Sequence, residues 1–150
     1  MASTCPFCDR EIIKRQTFCE TERFYCMYNH KPSLPGHSLL IPKRHVETVL
    51  DFNDSELAEL GPLMKRMASM LMNAYNGTGV DFSIQNGFVA GASIAHLHIH
   101  VVPRRAGDID GDPSLWMAKI LEAERTKKPI SASEMQSNVK KIRNAINGKK

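Results

Sequence analysis

The chain has 150 residues, 42% of them hydrophobic and 24% charged, which is enough apolar material for one core and too short for two ordinary domains, so a single domain over 1–150 is expected. No apolar run approaches the ~20 residues a bilayer-spanning helix needs, and the opening MASTCPFCDR has no apolar stretch of the secretory kind; this argues against a membrane protein and for a cytoplasmic one. The formal charge of +4 would suit a polyanionic partner, yet much of the excess sits in NVKKIRNAINGKK, read as a solvated basic tail rather than a nucleic-acid arm.

All four cysteines, Cys5, Cys8, Cys19 and Cys26, fall at the N-terminal end, unlike the even spread of a disulfide scaffold, and point to a reducing compartment. CPFC places Cys5 and Cys8 at zinc-ligand spacing, and a tetrahedral structural site would need two further ligands. A redox pair and an unliganded surface pair are the competing readings; the redox one suffers because no strand precedes the motif. Cys19 and Cys26 read as ordinary small apolar residues.

RFYCMYN, residues 23–29, is rich in aromatics and reads as a strand running into the loop HKPSLPGH. SLLIP, residues 38–42, reads as a short buried strand, and the two suggest a hairpin with a wide loop. From Asn53 a helix is predicted, capped by Asn53 or Asp54, with Leu57, Leu60, Met64, Met67, Leu71 and Tyr75 recurring every three or four residues. Asn76-Gly77 should end it and Gly61-Pro62 should kink it, while the methionines of MKRMASMLM are core filler. DFSIQN, residues 81–86, alternates as a strand, and GFVAGAS is a small-residue loop feeding AHLHIHVVPR, residues 95–104. After a polar GDIDGDPS stretch, helical periodicity returns around Trp116, Ile120 and Leu121 and again after Ser133. The order of elements predicts an α+β fold with a mostly antiparallel sheet, a long central helix and C-terminal helices.

His96, His98 and His100 alternate with Leu97, Ile99 and Val101, so on a strand the imidazoles share one face and the apolar residues turn to the core. At ~3.3 Å per residue the outer two start ~13 Å apart, too far for all three to converge on one metal. The row must therefore divide its labour. Neutral imidazole is both nucleophile and proton carrier near neutral pH, and beside a loop of backbone N–H donors it suits attack at phosphorus.

The run GASIAHLHIHVVPR, with PGHSLLIPKRH upstream, resembles the histidine-triad signature over roughly residues 5–117, leaving 118–150 as a helical, basic extension. Within that family the chain is most similar to the fragile-histidine-triad dinucleoside polyphosphate hydrolases, through Asn29 in NHKPSLPGH and Gln85 in SIQNGFVAG. The resemblance implies a HIT-like fold and cleavage at the α-phosphate through a nucleotidyl intermediate on His98. It implies that His100 contacts the phosphoryl oxygens and assists the leaving group, Gln85 reaches the bridging oxygen or the water, Asn29 holds the ribose, and His37 orients the catalytic imidazole. Ser93 and the backbone of Gly91 and Ala92 would receive the phosphate, and Ile12, Met27 and Leu39, with Phe7, would form the base slot. One departure is Gly91-Ala92-Ser93 where relatives carry Gly-Gln before the hydroxyl residue, which predicts an altered rate or substrate preference.

The same resemblance would pair Cys5 and Cys8 with His45 and His96 around a structural zinc. It further implies an adenine dinucleotide substrate, accompanied by magnesium, and a homodimer with Trp116 either near the partner's active site or serving as a helix anchor. Alternatives with the same site are a nucleoside phosphoramidase, a dinucleoside polyphosphate phosphorylase or a slow nucleotide-binding sensor. A DNA-end deadenylating enzyme is disfavoured because no second zinc-finger spacing follows the histidine row.

Overall fold

The computed structural model describes residues 5–148. Five strands, β1 (Thr17–Glu20), β2 (Phe24–Tyr28), β3 (Ser38–Pro42), β4 (Gly79–Ile84) and β5 (Ile99–Arg104), form one sheet in the order β1-β2-β3-β5-β4. Every pairing is antiparallel. The expected hairpin is β2 against β3, in register from Phe24↔Pro42 to Tyr28↔Ser38. Its wide loop closes at Gly36, where φ is +89° and a Cβ would come within 2.5 Å of Pro103 and 2.8 Å of the Tyr75 ring, so only glycine fits immediately before His37.

A short helix α1 (Arg10–Gln16), whose first N–H groups are capped by the Asp9 carboxylate, precedes β1. Neither was predicted, because seven helical and four strand residues are too few for periodicity to show. The central helix α2 (Asp54–Tyr75) starts on a capping box of Asn53 and Glu56 and ends at Asn76 in a left-handed conformation, φ 53°. It runs unbroken through Pro62. Gly61, Pro62 and Ala58, whose carbonyl loses its partner, all lie on the exposed side, where solvent replaces the missing bond. The buried stripe also begins later than predicted: Leu57 is 48% exposed, while Leu63, Met67, Met70, Leu71 and Tyr75 are buried.

Strand alternation gives the sheet two different faces. Phe24, Cys26, Tyr28, Leu40, Ile99 and Val101 point to α2 and join Met67 and Leu71 in the main core. On the opposite face Met27, Leu39 and Ile41 cluster with Phe7, flanked by Ile12 and Ile94. This second face is the one on which the functional residues collect.

Two C-terminal helices follow, α3 (Trp116–Thr126) and α4 (Ala132–Asn147). The solvated tail expected for NVKKIRNAINGKK is instead the body of α4: Met135, Val139 and Ile142 are buried in the main core. Its cations occupy the outer face, with Lys141 over the Tyr75 ring at 4.3 Å and Arg143 donating to the Thr17 carbonyl. The final two lysines lie outside the described residues. Among the described residues no helix is long and apolar enough to cross a membrane.

Candidate active site and metal centre

The three histidines do not all lie on a strand, as their spacing predicted. β5 begins at Ile99, and His96 and His98 belong to the extended segment leading into it. The ladder to β3 ends at Leu40↔Ile99; beyond it the Leu97 N–H bonds the Val46 carbonyl and the His96 ring bonds the Pro42 carbonyl, so irregular bonds replace strand pairing. Alternation nevertheless survives, with Leu97, Ile99 and Val101 in the main core and all three imidazoles buried elsewhere.

Fixed partners set the tautomer of each ring. His98 Nδ1 lies 2.8 Å from the His96 carbonyl, which can only accept, so Nδ1 carries the proton and Nε2 keeps its lone pair. His37 Nδ1 accepts the Ser33 N–H at 3.1 Å, so its proton sits on Nε2, 2.8 Å from His100 Nδ1. His100 in turn carries its proton on Nε2. One imidazole therefore presents a lone pair and its neighbour a donor, with ring centroids 5.2 Å apart. His37 orients His100 rather than His98.

Burial keeps these rings neutral. It pushes His37 well below the ordinary range and His98 downward, and with the nearby His98 it holds His100 at about 3. The unfolded chain binds a proton at each ring near pH 6.5, so their contribution to stability is present above that pH and is lost as pH falls toward the folded values. Between pH 6.5 and 5 the loss from His100 alone comes to about 2 kcal/mol. Urea unfolding of wild type and His100→Gln across that interval should give a shallower slope for the variant by about that amount; parallel slopes would contradict it.

His98 and His100 open on a cavity of about 520 Å³ also lined by Phe7, Asn29, Leu39, Gly91, Ala92, Ser93 and Ile94. The Asn29 carboxamide lies against the His37 ring at 3.2 Å and accepts the Lys31 N–H. Met27, fully buried, supports the apolar wall from behind, while Ile12 packs beside Phe7 without lining this cavity. In the loop, Gly91 has φ +100°, and the Gly91 and Ala92 N–H groups bond the Phe88 and Gly87 carbonyls. Those two donors thus hold the turn together, and Ser93 is the exposed residue left at the cavity edge. Gln85 is not brought to the histidines: its amide bonds Ser83 Oγ at 2.6 Å and approaches Met117 Sδ at 3.7 Å.

Three residues at this site had no sequence signal. Ser33 fixes the His37 tautomer, and Lys31 and Glu124 reach the cavity, the Glu124 carboxylate lying 3.5 Å from His100 Nε2. Glu124, one of two glutamates on a short helix and 24 positions past His100, carries no pattern that spacing could reveal. His30, for which the sequence suggested no role, lines the cavity mouth.

Cys5, Cys8, His45 and His96 converge as a second cluster, their ligand atoms all within 4.8 Å of one another. Cys5 precedes and Cys8 ends the turn Pro6–Cys8, His45 follows β3 and His96 precedes β5. Cys5 Sγ is 3.3 Å and Cys8 Sγ 3.6 Å from His96 Nδ1, and Cys8 Sγ is 3.4 Å from His45 Nδ1. Tetrahedral bonds of ~2.3 Å to sulfur and ~2.1 Å to nitrogen put such atoms about 3.5 Å apart, so the spacing fits a metal ion. His96 Nε2 donates to the Pro42 carbonyl at 2.9 Å, leaving Nδ1 for the metal, which is the second bond a ligating histidine needs.

A short strap of imidazoles on one sheet face, a nucleoside-sized cavity and a glycine-containing loop define a histidine-triad domain. The chain belongs to that family: the HIT domain matches residues 10–107. It is 34% identical over 132 residues to the bis(5'-adenosyl)-triphosphatase of Dictyostelium discoideum, covering 88% of this chain and 86% of that one. To the bifunctional bis(5'-adenosyl)-triphosphatase/adenylylsulfatase of Arabidopsis thaliana it is 33% identical, covering 79% and 67%. Among solved structures, the Plasmodium falciparum diadenosine triphosphate hydrolase in complex with cyclomarin A superposes with a TM-score of 0.73 at 29% identity, covering 91% of this chain and 79% of that one. A hypothetical histidine triad nucleotide-binding protein from Sulfolobus tokodaii gives 0.75 at 28%, covering 95% and 92%.

Proposed function

We propose that this chain hydrolyses dinucleoside polyphosphates of the diadenosine tri- and tetraphosphate type at the α-phosphate, through a nucleotidyl intermediate on His98. The observation that carries the reading is the His98 Nδ1–H bond to the His96 carbonyl, which leaves an unprotonated Nε2 beside a cavity of nucleoside size. The named activities of the Dictyostelium and Arabidopsis relatives support the substrate class.

In the first step the Nε2 lone pair attacks the α-phosphorus and the bond to the bridging oxygen breaks, its electron pair leaving with the second nucleotide. His100 Nε2–H, held by the Ser33–His37 relay, donates to a phosphoryl oxygen and lowers the charge that develops there. Ser93 bonds the phosphate from the loop. In the second step water attacks the same phosphorus, the P–N bond breaks with its pair returning to Nε2, and the mononucleotide departs, the water's surplus proton passing to solvent.

Asn29 binds the ribose, and Phe7, Leu39 and Ile94 enclose the base, an apolar slot that suits adenine without naming it by hydrogen bonds. Gln85 enters the reaction only after its amide leaves Ser83. Zinc is the metal that suits two thiolates and two imidazoles; Cys5, Cys8, His45 and His96 would hold it, and it would serve a structural role, fixing the segment that carries His98. Magnesium accompanies the polyphosphate, since it prefers oxygen ligands. Phe88 and Val89, 66% and 107% exposed beyond edge strand β4, are apolar surface that a second copy would cover, which supports a homodimer.

Chromatography of diadenosine triphosphate reactions tests the reading. AMP and ADP in equal amounts, with oxygen from labelled water in the AMP, are expected. Product that forms only when inorganic phosphate is present would make the enzyme a phosphorylase, and tight nucleotide binding without turnover would make it a sensor.

A further inference from the structure

The Glu124 carboxylate occupies an unusual position for an anion in a site built for phosphate. Its Oε1 lies 3.5 Å from His100 Nε2, and the carboxylate clusters with one ring nitrogen of each of His98 and His100 within 4.8 Å. The tautomer relay puts a proton on His100 Nε2, so the Glu124 carboxylate faces the N–H that a phosphoryl oxygen would receive. α3 is held in this position by Lys31 Nζ on the Glu124 carbonyl at 3.3 Å and by Lys127 Nζ on the Pro32 and Ser33 carbonyls at 3.0 Å each. These bonds use backbone carbonyls, which leaves the carboxylate itself free to face the imidazoles. Burial raises the proton affinity of Glu124, and the nearby Lys31 ammonium opposes that shift only in part.

We propose that Glu124 is a specificity-determining residue that stands in for the substrate phosphate on His100 and selects against anionic charge at that position. Substrate displaces the carboxylate from His100, and the displaced group remains in the cavity wall, where it repels phosphates beyond the scissile one. Longer polyphosphate chains therefore bind less well than their additional contacts alone would give. Lys31 and Arg125, both lining the same cavity, oppose this repulsion and keep a short chain acceptable. The proposal rests on the hydrolase reading for its substrates but on the geometry alone for its anion.

Glu124→Gln keeps the shape and removes the charge. Calorimetric titration with AMP, which needs no turnover, should show affinity about tenfold higher in the variant than in wild type. In steady-state assays kcat/KM for diadenosine triphosphate should rise, the gain lying in KM, and the rise should be larger for the tetraphosphate. Unchanged AMP affinity overturns the proposal, as does a kcat reduced tenfold or more at unchanged KM, which would make Glu124 an acid–base catalyst. Failure of wild type to hydrolyse either dinucleotide would count against the hydrolase reading instead, and the AMP titration would still decide the role of Glu124.

Discussion

If the proposed mechanism holds, His98→Asn is expected to lower kcat for diadenosine triphosphate by at least ~10³-fold, because it removes the nitrogen proposed to form the covalent intermediate. The asparagine amide can still donate to the His96 carbonyl and occupies less volume than the imidazole, so folding should persist, with a melting temperature within a few degrees of wild type. Acid quenching is unsuitable for trapping the intermediate, since a phosphorus–nitrogen bond on imidazole is acid-labile; a quench in alkaline denaturant followed by mass spectrometry should show a nucleotidyl adduct on wild type and none on the variant. A variant retaining a tenth of the activity would remove His98 from the nucleophile's role. Full loss of activity with an adduct still present would move that role to another residue.

Removing the metal should cost stability far more than activity. The cluster ties the N-terminal turn to residues 37 and 91 positions further along the chain, adding to the packing of Phe7 against Met27, Leu39 and Ile41. Treatment with a strong chelator, or Cys8→Ser, is expected to take zinc from about one per chain to none and to lower the melting temperature by roughly 10 °C, equivalent to about 3–5 kcal/mol. Activity measured well below the new transition should be reduced far less than in His98→Asn, because no step passes through the metal. Elemental analysis with thermal melting checks this. A melting curve indifferent to chelation would mean the four side chains meet without a structural ion.

The His96 residue links these two outcomes. Its ring offers Nδ1 to the metal and bonds Pro42 through Nε2, while its backbone carbonyl fixes the proton on His98. A change that lets this segment drift would therefore disturb both the metal site and the nucleophile's tautomer.

Much of the molecule was readable from local patterns. β2, β3 and α2 carry strong periodicity with polar caps or breakers at their ends, and the structure places them within two residues of the ranges their patterns predicted. The grouping of Cys5 and Cys8 with His45 and His96 followed from family resemblance, and the four do converge. The start of β5 was not readable, because alternation in AHLHIHV is the same whether the segment pairs in a ladder or merely runs extended; only its neighbours Pro42 and Val46 decide that. The basic stretch near the C-terminus hid an apolar face of three residues that makes sense only against α2 and the sheet.

The sequence by itself determined the chemistry available: three alternating imidazoles, two thiols three positions apart, a glycine loop and an apolar alternation strong enough to divide the sheet into a core face and a site face. Those are properties of residue type and spacing, fixed before folding. Tertiary structure alone decided which nitrogen of each ring holds its proton, that His37 serves His100, that Gln85 turns to Ser83, and that Glu124 from α3 faces the imidazoles. Each of these depends on a partner far along the chain or on a backbone carbonyl, and a hydrogen bond a few tenths of an ångström from ideal leaves no trace in the order of residues.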